Sequence, residues 1–222
     1  MEFLRERLEK TGKALGVELK EGAAEDIHVF LEELGKWNRA YNLVGRRATL
    51  HDLVEHCIDS LSAMMVTGCI SEDSRVIDIG TGAGFPGIPL YLVAGPFEMV
   101  LLEAVRKKVA FLRHVKRRMG LEQVRVEGLR AEEAAKQEEL GPGFDLALLR
   151  AVTDWRRALP LGRGLLKPKG KMVMLAGSGA AGEMERAQDY LRKTGFLLGE
   201  ERSSRRITGR DTAVLSLERI GG

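Results

Sequence analysis

The sequence is poor in cysteine and has no long apolar run. Its two cysteines, Cys57 and Cys69, show no CxxC spacing. A structural zinc site or disulfide framework is therefore not expected, and a reducing cytoplasm is the default setting. The longest apolar stretches, such as Ile58 to Val66, are broken by polar residues and fall short of the ~20 residues that span a bilayer. The start, Met1-Glu2-Phe3-Leu4-Arg5-Glu6-Arg7, is charged throughout and has no apolar core, so no signal peptide is expected. No internal repeat, no low-complexity linker and no His/Cys/Asp grouping that argues for a metal is found.

What is present is the composition of an ordinary globular protein, 44% hydrophobic and 30% charged over 222 residues. That length buries one core, with room for a small appended subdomain. The net charge of +3 hides an uneven distribution. From Leu101 to Gly120 there are seven cations (Arg106, Lys107, Lys108, Arg113, Lys116, Arg117, Arg118) and one acid, Glu103, whereas Glu132 to Glu139 holds four acids and one lysine. Such asymmetry fits either a polyanion-facing side or a solvated helix face.

The first 70 residues read as helical. A short charged helix over 1–16 uses Phe3, Leu4, Leu8 and Leu15 as apolar contacts. A second, over 23–41, repeats Ile27, Phe30, Leu31, Leu34, Trp37 and Tyr41 at helical spacing. A third, capped by Thr49, turns Leu50, Leu53, Val54, Cys57, Ile58 and Leu61 inward. After residue 71 the period changes. Strands at 75–79, 98–103, 124–126, 144–149 and 171–176 alternate with helical segments from about 86, over 105–119, 131–139 and 153–165. This is the pattern of βαβ units and a parallel sheet covered on both faces. A helix over 181–194 and two strand-like segments, 196–203 and 212–218, follow; a terminal hairpin would add antiparallel strands.

Gly80, Gly82 and Gly84 stand between a predicted strand and a predicted helix, where glycine permits a sharp turn and close approach of a ligand to the backbone. Glu103, 23 positions beyond Gly80, falls at the carboxyl end of the second strand, where an acid accepts both hydroxyls of a ribose; charge-assisted bonds of that kind contribute roughly 1.5–3 kcal/mol each. The spacing is GxGxG, not the GxGxxG that docks a pyrophosphate, and Asp78 precedes it, placed either to orient the loop or to meet a cationic amino-acid ligand. Asp78-x-Gly-x-Gly-x-Gly with a downstream acid resembles the S-adenosylmethionine signature of the Rossmann-like methyltransferases.

A narrower resemblance rests on four blocks: Gly80-Thr-Gly-Ala-Gly-Phe85-Pro86-Gly87-Ile88-Pro89-Leu90, Trp37-Asn38-Arg39-Ala40-Tyr41-Asn42-Leu43, His56-Cys57-Ile58-Asp59-Ser60-Leu61, and Leu101-Leu102-Glu103-Ala104 leading into Lys108 to Arg113. Over residues 25 to 175 the chain resembles the bacterial small-subunit ribosomal RNA guanine-N7 methyltransferases, also known as the glucose-inhibited division protein B family. The resemblance implies a class I, Rossmann-like α/β fold: a mostly parallel seven-stranded sheet with a terminal antiparallel hairpin over 71–222, and a helical extension over 1–70, in one compact unit. It implies an enzyme that transfers methyl from S-adenosylmethionine to N7 of a guanine in 16S ribosomal RNA, in the cytoplasm and as a monomer. It puts Gly80 and Phe85 on the cofactor, Glu103 at its ribose, Ala131 and Glu132 beside the adenine, and Arg150 in the cleft between cofactor and substrate. Two positions depart from the family: Glu103 where Asp is common, and Leu149 where a small residue is common.

The chain has no Asn/Asp-Pro-Pro-Tyr/Phe motif and no Pro-Cys pair. Guanine N7 needs neither, because its lone pair attacks directly and no proton must leave first. A small-molecule methyltransferase with the same cofactor site is the alternative; a non-enzymatic RNA-binding protein would be expected to have lost Gly82 or Glu103. For RNA phosphates the candidates are Arg46-Arg47, Arg156-Arg157, Lys167 and Lys169, and Arg205, Arg206 and Arg210. Trp37 and Tyr41 read as core, and Cys57 and Cys69 as packing. Asn38 and Asn42 either close the cleft or touch RNA. His56 and Asp59 share a helix face and either orient the cleft or satisfy each other. His28, His51 and His114 read as surface residues.

Overall fold

The change of period near residue 71 is where an all-helical layer gives way to alternating strands and helices. The computed structural model describes residues 1–68, 70–151 and 154–221; Cys69 and the predicted helix start at Thr153 lie outside the described residues. The layer comprises α1 (Glu2–Leu15), α2 (Ala23–Tyr41), α3 (Leu50–Leu61) and α4 (Met64–Thr67). After it come β1 (Arg75–Ile79), α5 (Gly87–Ala94), β2 (Glu98–Leu102), α6 (Arg106–Met119), β3 (Val124–Glu127), α7 (Ala131–Ala134), β4 (Phe144–Arg150), α8 (Trp155–Leu165) and β5 (Leu166–Gly177). The chain ends with α9 (Ala180–Arg186), α10 (Gln188–Lys193), β6 (Phe196–Ser203), α11 (Arg205–Thr208) and β7 (Thr212–Arg219).

The seven strands run in the order β3-β2-β1-β4-β5-β7-β6; β7 is antiparallel to both its neighbours and the other pairings are parallel. Chain order reverses between β1 and β4, so the crevice beyond their carboxyl ends is where this topology takes ligands. Alternation along each strand sends neighbours to opposite faces. Val76, Met99, Leu101, Leu148 and Val173 share one core with α1, α2, α3, α5 and α6, while Ile77, Val100, Leu102, Leu149 and Met174 share another with α7, α8, α9 and α10. The N-terminal helices thus complete one face of the sheet. The start of α3 is fixed by a capping box: Asp52 N–H donates to Thr49 Oγ1 at 3.2 Å and Thr49 N–H to the Asp52 carboxylate at 2.8 Å.

Several expectations change. The 131–139 segment is helical only through Ala134, and the 181–194 segment is two helices broken at Ala187, whose φ of −110° and ψ of 24° leave the helical basin. β5 starts at Leu166, because that residue pairs with Phe144 across a register shift. The turn between β6 and β7 contains α11, closed by Gly209 in the left-handed region. Leu50 (55% exposed), Phe3 (45%) and Tyr41 (50%) lie outside the core: each stands at a helix end, and Phe3 stacks on His51 at 5.5 Å between ring centroids.

Candidate functional site

The site begins where β1 runs out. Gly80 (φ 70°) turns the chain away, and its N–H and that of Thr81 both donate to the Leu102 carbonyl, at 2.9 and 3.1 Å. A Cβ on Gly80 would meet nothing within 4 Å. Gly84 (φ 96°) is glycine for a different reason, since a Cβ there would lie 2.5 Å from Ile88 Cδ1. At Gly87 it would lie 2.8 Å from both Asp78 Oδ2 and Leu101 Cδ2. The loop is thus pressed onto its helix and strand while its Gly80 edge stays open.

Two carboxylates hold this loop. Asp78, fully buried behind it, accepts from Thr81 Oγ1 at 2.6 Å and from Gly87 N–H at 2.8 Å, both on Oδ2. Its Oδ1 has no hydrogen-bond partner among the described residues. Burial pushes the carboxyl up to about 7, against the pull of the Thr81 and Gly87 hydrogen bonds. Of the two roles open to Asp78, orienting the loop is the one its contacts perform. Glu103 grips from the front: Oε2 accepts from Gly82 N–H at 2.9 Å and Oε1 from Val105 N–H at 2.8 Å. Each oxygen keeps a further lone pair.

A cleft of about 450 Å³ opens at the carboxyl ends of β1, β2 and β4. Of the predicted residues, Gly80, Glu103, Ala131, Glu132 and Arg150 line it, whereas Asp78, Gly82, Gly84 and Phe85 shape it from behind or beside. Leu129, Leu149, Ala158 and Leu161 give the cleft apolar walls, and Asp154 and Arg157 add charge. Sequence reasoning took Arg157 only as a phosphate contact and missed the cleft wall made by the α8 N-cap Asp154 and by Ala158 and Leu161 of α8. The usable signal was connectivity, because the helix after β4 must begin at the same end of the sheet as the ligand crevice.

Arg150 is held by two residues of α3 and by the Phe85 ring, with a residue of β7 bracing its carboxylate partner. Its Nη2 lies 2.9 Å from Asp59 Oδ2 and 2.9 Å from His56 Nδ1, both on α3. Thr212, the first residue of β7, donates its hydroxyl to Asp59 Oδ1 at 3.2 Å. The Phe85 ring centroid lies 5.6 Å from the guanidinium and 5.9 Å from the His56 ring. Guanidinium nitrogens only donate, so His56 Nδ1 is the bare nitrogen and the ring proton sits on Nε2. Burial, then the charges of Arg150 and Arg210, lower the His56 pKa. Burial also lowers that of Arg150, with Asp59 opposing. His56 and Asp59 therefore orient the cleft's arginine rather than satisfy each other.

Cys57 is fully buried and its thiol is pushed up to about 12 by desolvation, which leaves no thiolate for nucleophilic chemistry. Asn38 accepts from Leu43 N–H (2.7 Å) and Val44 N–H (3.0 Å) and donates to the Gly45 carbonyl at 2.8 Å. It ties up the turn after α2, where Asn42 takes the left-handed C-cap (φ 51°). His114 is half-buried and bonded to Glu33 at 2.7 Å, a departure from its reading as a surface residue.

The basic candidates separate by end of the sheet. Arg46 and Arg47 are exposed in a turn held against α6 by Lys107, whose ammonium donates to the Tyr41 carbonyl at 2.7 Å. Arg205 and Arg206 on α11 and the adjacent Arg210 are exposed beside the start of β7, which pairs with the carboxyl end of β5. Both groups flank the cleft's end. Arg156 stacks on Trp155 at 4.2 Å and lies 3.8 Å from Glu183. Lys167 pairs with Asp145 at the opposite end of the sheet, next to Lys169. Among the described residues no three His, Cys, Asp or Glu gather to hold a metal, and no helix is long and apolar enough to cross a membrane.

Residues 23–201 match the family model described as rRNA small subunit methyltransferase G. The chain belongs to the rRNA small subunit methyltransferase G family. A relative from Geobacter sp. (strain M21), named ribosomal RNA small subunit methyltransferase G, is 36% identical over 187 residues, 84% of each chain. One of the same name from Syntrophotalea carbinolica is 27% identical and covers 99% of this chain and 100% of its own. Among solved structures, Aeropyrum pernix fibrillarin in complex with S-adenosyl-L-methionine superposes with a TM-score of 0.57 at 17% identity, over 73% of this chain and 76% of that one. At that identity the likeness shows the fold alone, a mostly parallel seven-stranded sheet with helices on both faces. The family match contains the glycine loop, Glu103, His56, Asp59 and Arg150; Arg205, Arg206, Arg210 and Thr212 lie beyond it.

Proposed function

We propose that this chain transfers a methyl group from S-adenosylmethionine to N7 of a specific guanine in 16S ribosomal RNA of the small ribosomal subunit. The observation that carries the reading is the cleft at the β1/β4 switch point in a chain of this family. Its size falls in the range of about 300–1,000 Å³ typical of small-molecule sites. The residues present fit such a nucleoside. Gly80 lets a ligand lie against the backbone, Glu103 keeps two lone pairs for a diol, and the apolar walls accept a flat base. We assign Glu103 to the ribose hydroxyls, Ala131 and Glu132 to the adenine, and Gly80 and Phe85 to the cofactor's contacts with the glycine loop. Asp78, Gly82 and Gly84 hold that loop in shape.

When bound, S-adenosylmethionine supplies an electrophilic methyl group on a sulfonium. Guanine N7 carries a lone pair and no proton, so the chain's own task is alignment and electrostatics rather than base catalysis. Arg150 is the residue we place at the reacting base, with Asp59 beside it at 2.9 Å. Their opposite charges cancel, so the guanidinium can donate hydrogen bonds without repelling the positive charge that develops on a methylated purine. Arg46, Arg47, Arg156, Arg205 and Arg206 are the candidate phosphate contacts. We further propose that the protein acts in the cytoplasm as a monomer, the helical layer of 1–70 and the methyltransferase unit of 71–222 forming one body.

The test is transfer of labelled methyl groups to ribosomal RNA, and to intact small subunits, from cells lacking the protein, followed by nucleoside analysis. Label recovered as 7-methylguanosine at one position is the expected result. Cofactor binding without transfer to either RNA form would overturn the substrate and favour a small-molecule acceptor.

A further inference from the structure

The strongly basic helix α6 is not used by the cofactor site beyond its first turn. Its apolar face, Val109, Phe111, Leu112 and Val115, is buried under α2 and the sheet. Its first three positions are Arg106, Lys107 and Lys108, with no acid in the first turn. That is the reverse of what the helix dipole favours, since the N-terminal end carries partial positive charge. Two of these cations have local partners: Lys107 holds the Tyr41 carbonyl at 2.7 Å and Lys108 lies 4.0 Å from Glu103. Arg106 has no carboxylate within ion-pair distance among the described residues, and neither do Arg113 and Arg117. These three are exposed and stand at i, i+7 and i+11, on one stripe of the helix, with Ala110 between the first two. The dipole accounts for Arg117 at the C-terminal end but not for Arg106 or Arg113.

The stripe runs about 17 Å along the axis at 1.5 Å per residue. Its upper half borders a hollow of about 270 Å³ lined by Ala104, Arg106, Val109, Ala110, Arg113 and Gly128. Ala104 also lines the cofactor cleft, so hollow and cleft share a rim. Small residues at 110 and 128 leave room between two guanidiniums, which bind phosphate oxygens with paired donors.

We propose that this stripe is the track for the substrate RNA's phosphate backbone, with Arg106 and Arg113 seating one phosphate in the hollow beside the cleft and Arg117 taking one farther along. The proposal rests on the rRNA methyltransferase reading and names a surface for it. The charge complementarity favours a polyanion with regularly spaced phosphates.

The test compares wild type with an Arg106→Ala/Arg113→Ala/Arg117→Ala variant and with the corresponding triple Lys variant. Affinity for single-stranded 16S rRNA fragments is measured against salt, with S-adenosylmethionine affinity measured by calorimetry. Each phosphate neutralised on a single strand contributes about 0.7 to the log–log salt slope. With two phosphates released, the alanine variant should therefore lose about 1.4 of that slope and bind RNA about tenfold more weakly or worse. Cofactor affinity should stay, KM for RNA should rise more than kcat falls, and the lysine variant should recover the slope. An unchanged slope and KM in an alanine variant that still binds cofactor would overturn the track, and would leave this face to an acidic protein partner instead. Wild type that methylates no RNA would refute the underlying activity, a result distinct from methylation that ignores the three arginines.

Discussion

Replacing Asp59 by Asn tests whether the helical layer serves the site or merely covers the sheet. Asn keeps the volume and an acceptor for the Thr212 hydroxyl, but removes the charge that faces Arg150 at 2.9 Å. The side chains of Arg150 and Asp59 are only 16% and 7% exposed. Breaking a fully buried pair from one side costs about 3–5 kcal/mol, because the remaining ion stays desolvated. Arg150 keeps some water and the His56 acceptor, so we expect less than that, about 2–3 kcal/mol. For a chain of this length that is a fall in Tm of about 5–10 °C. The decisive measurement is a thermal double-mutant cycle with Arg150→Met. If the pair is coupled, Asp59→Asn should cost much less in the Arg150→Met background, because no buried charge is then stranded. Methyl transfer should fall in Asp59→Asn by more than cofactor affinity does. Additive single-variant costs, or an Asp59→Asn protein with wild-type Tm and wild-type turnover, would refute the reasoning.

Glu103→Gln is nearly isosteric, yet its amide must point NH₂ at either Gly82 N–H or Val105 N–H, which both now donate to carboxylate oxygens at 2.9 and 2.8 Å. We expect S-adenosylmethionine affinity to drop about tenfold or more, equivalent to at least ~1.4 kcal/mol; calorimetry showing wild-type affinity would dismiss Glu103 from the site. Gly84→Ala should destabilise the fold by roughly 1–3 kcal/mol, from positive φ and the 2.5 Å approach to Ile88. Gly80→Ala, with open space around the new methyl but φ at 70°, should cost only the roughly 1–2 kcal/mol of the left-handed backbone in stability and weaken cofactor binding. Denaturant midpoints and cofactor titrations on the two variants check both halves. Asp78, at about 7 when folded against 3.8 ordinarily, holds its proton longer in the folded chain. Its contribution to stability is therefore complete below about pH 4 and is lost as pH rises through about 7. Wild type should lose stability relative to Asp78→Asn between pH 5 and pH 8, and parallel stability–pH curves would contradict this.

Much of the fold was legible because it is written in local periodicity. The switch from a 3.6-residue to a 2-residue apolar repeat marked the helical layer and the strands, and glycines at 80, 82 and 84 marked the loop. The Thr49 cap was equally local. The short tail elements were less so: α9 and α10 share one helical pattern across Ala187, and only the packing of Met184 and Leu191 into the sheet's second face shows where it breaks. Asn38 illustrates the limit from another side. Its presence in a helix is anomalous by propensity, but that it closes the turn at Leu43 to Gly45 can be known only from where that turn goes.

The sequence by itself determined the strand–glycine–helix unit, the acid one strand later, and the cluster of cations over 101–120. Each depends on residues close together in the chain, whose mutual geometry the backbone dictates. Tertiary structure alone decided that Asp78 braces the loop from behind, that α8 walls the cleft, and that Arg150 meets His56 and Asp59. Arg150 and His56 lie 94 residues apart, and Asp59 and Thr212 lie 153 apart. No spacing rule links such positions. They meet because α3, β4 and β7 bury apolar faces in a common core, and the polar side chains carried to the rim of that core must then find partners there.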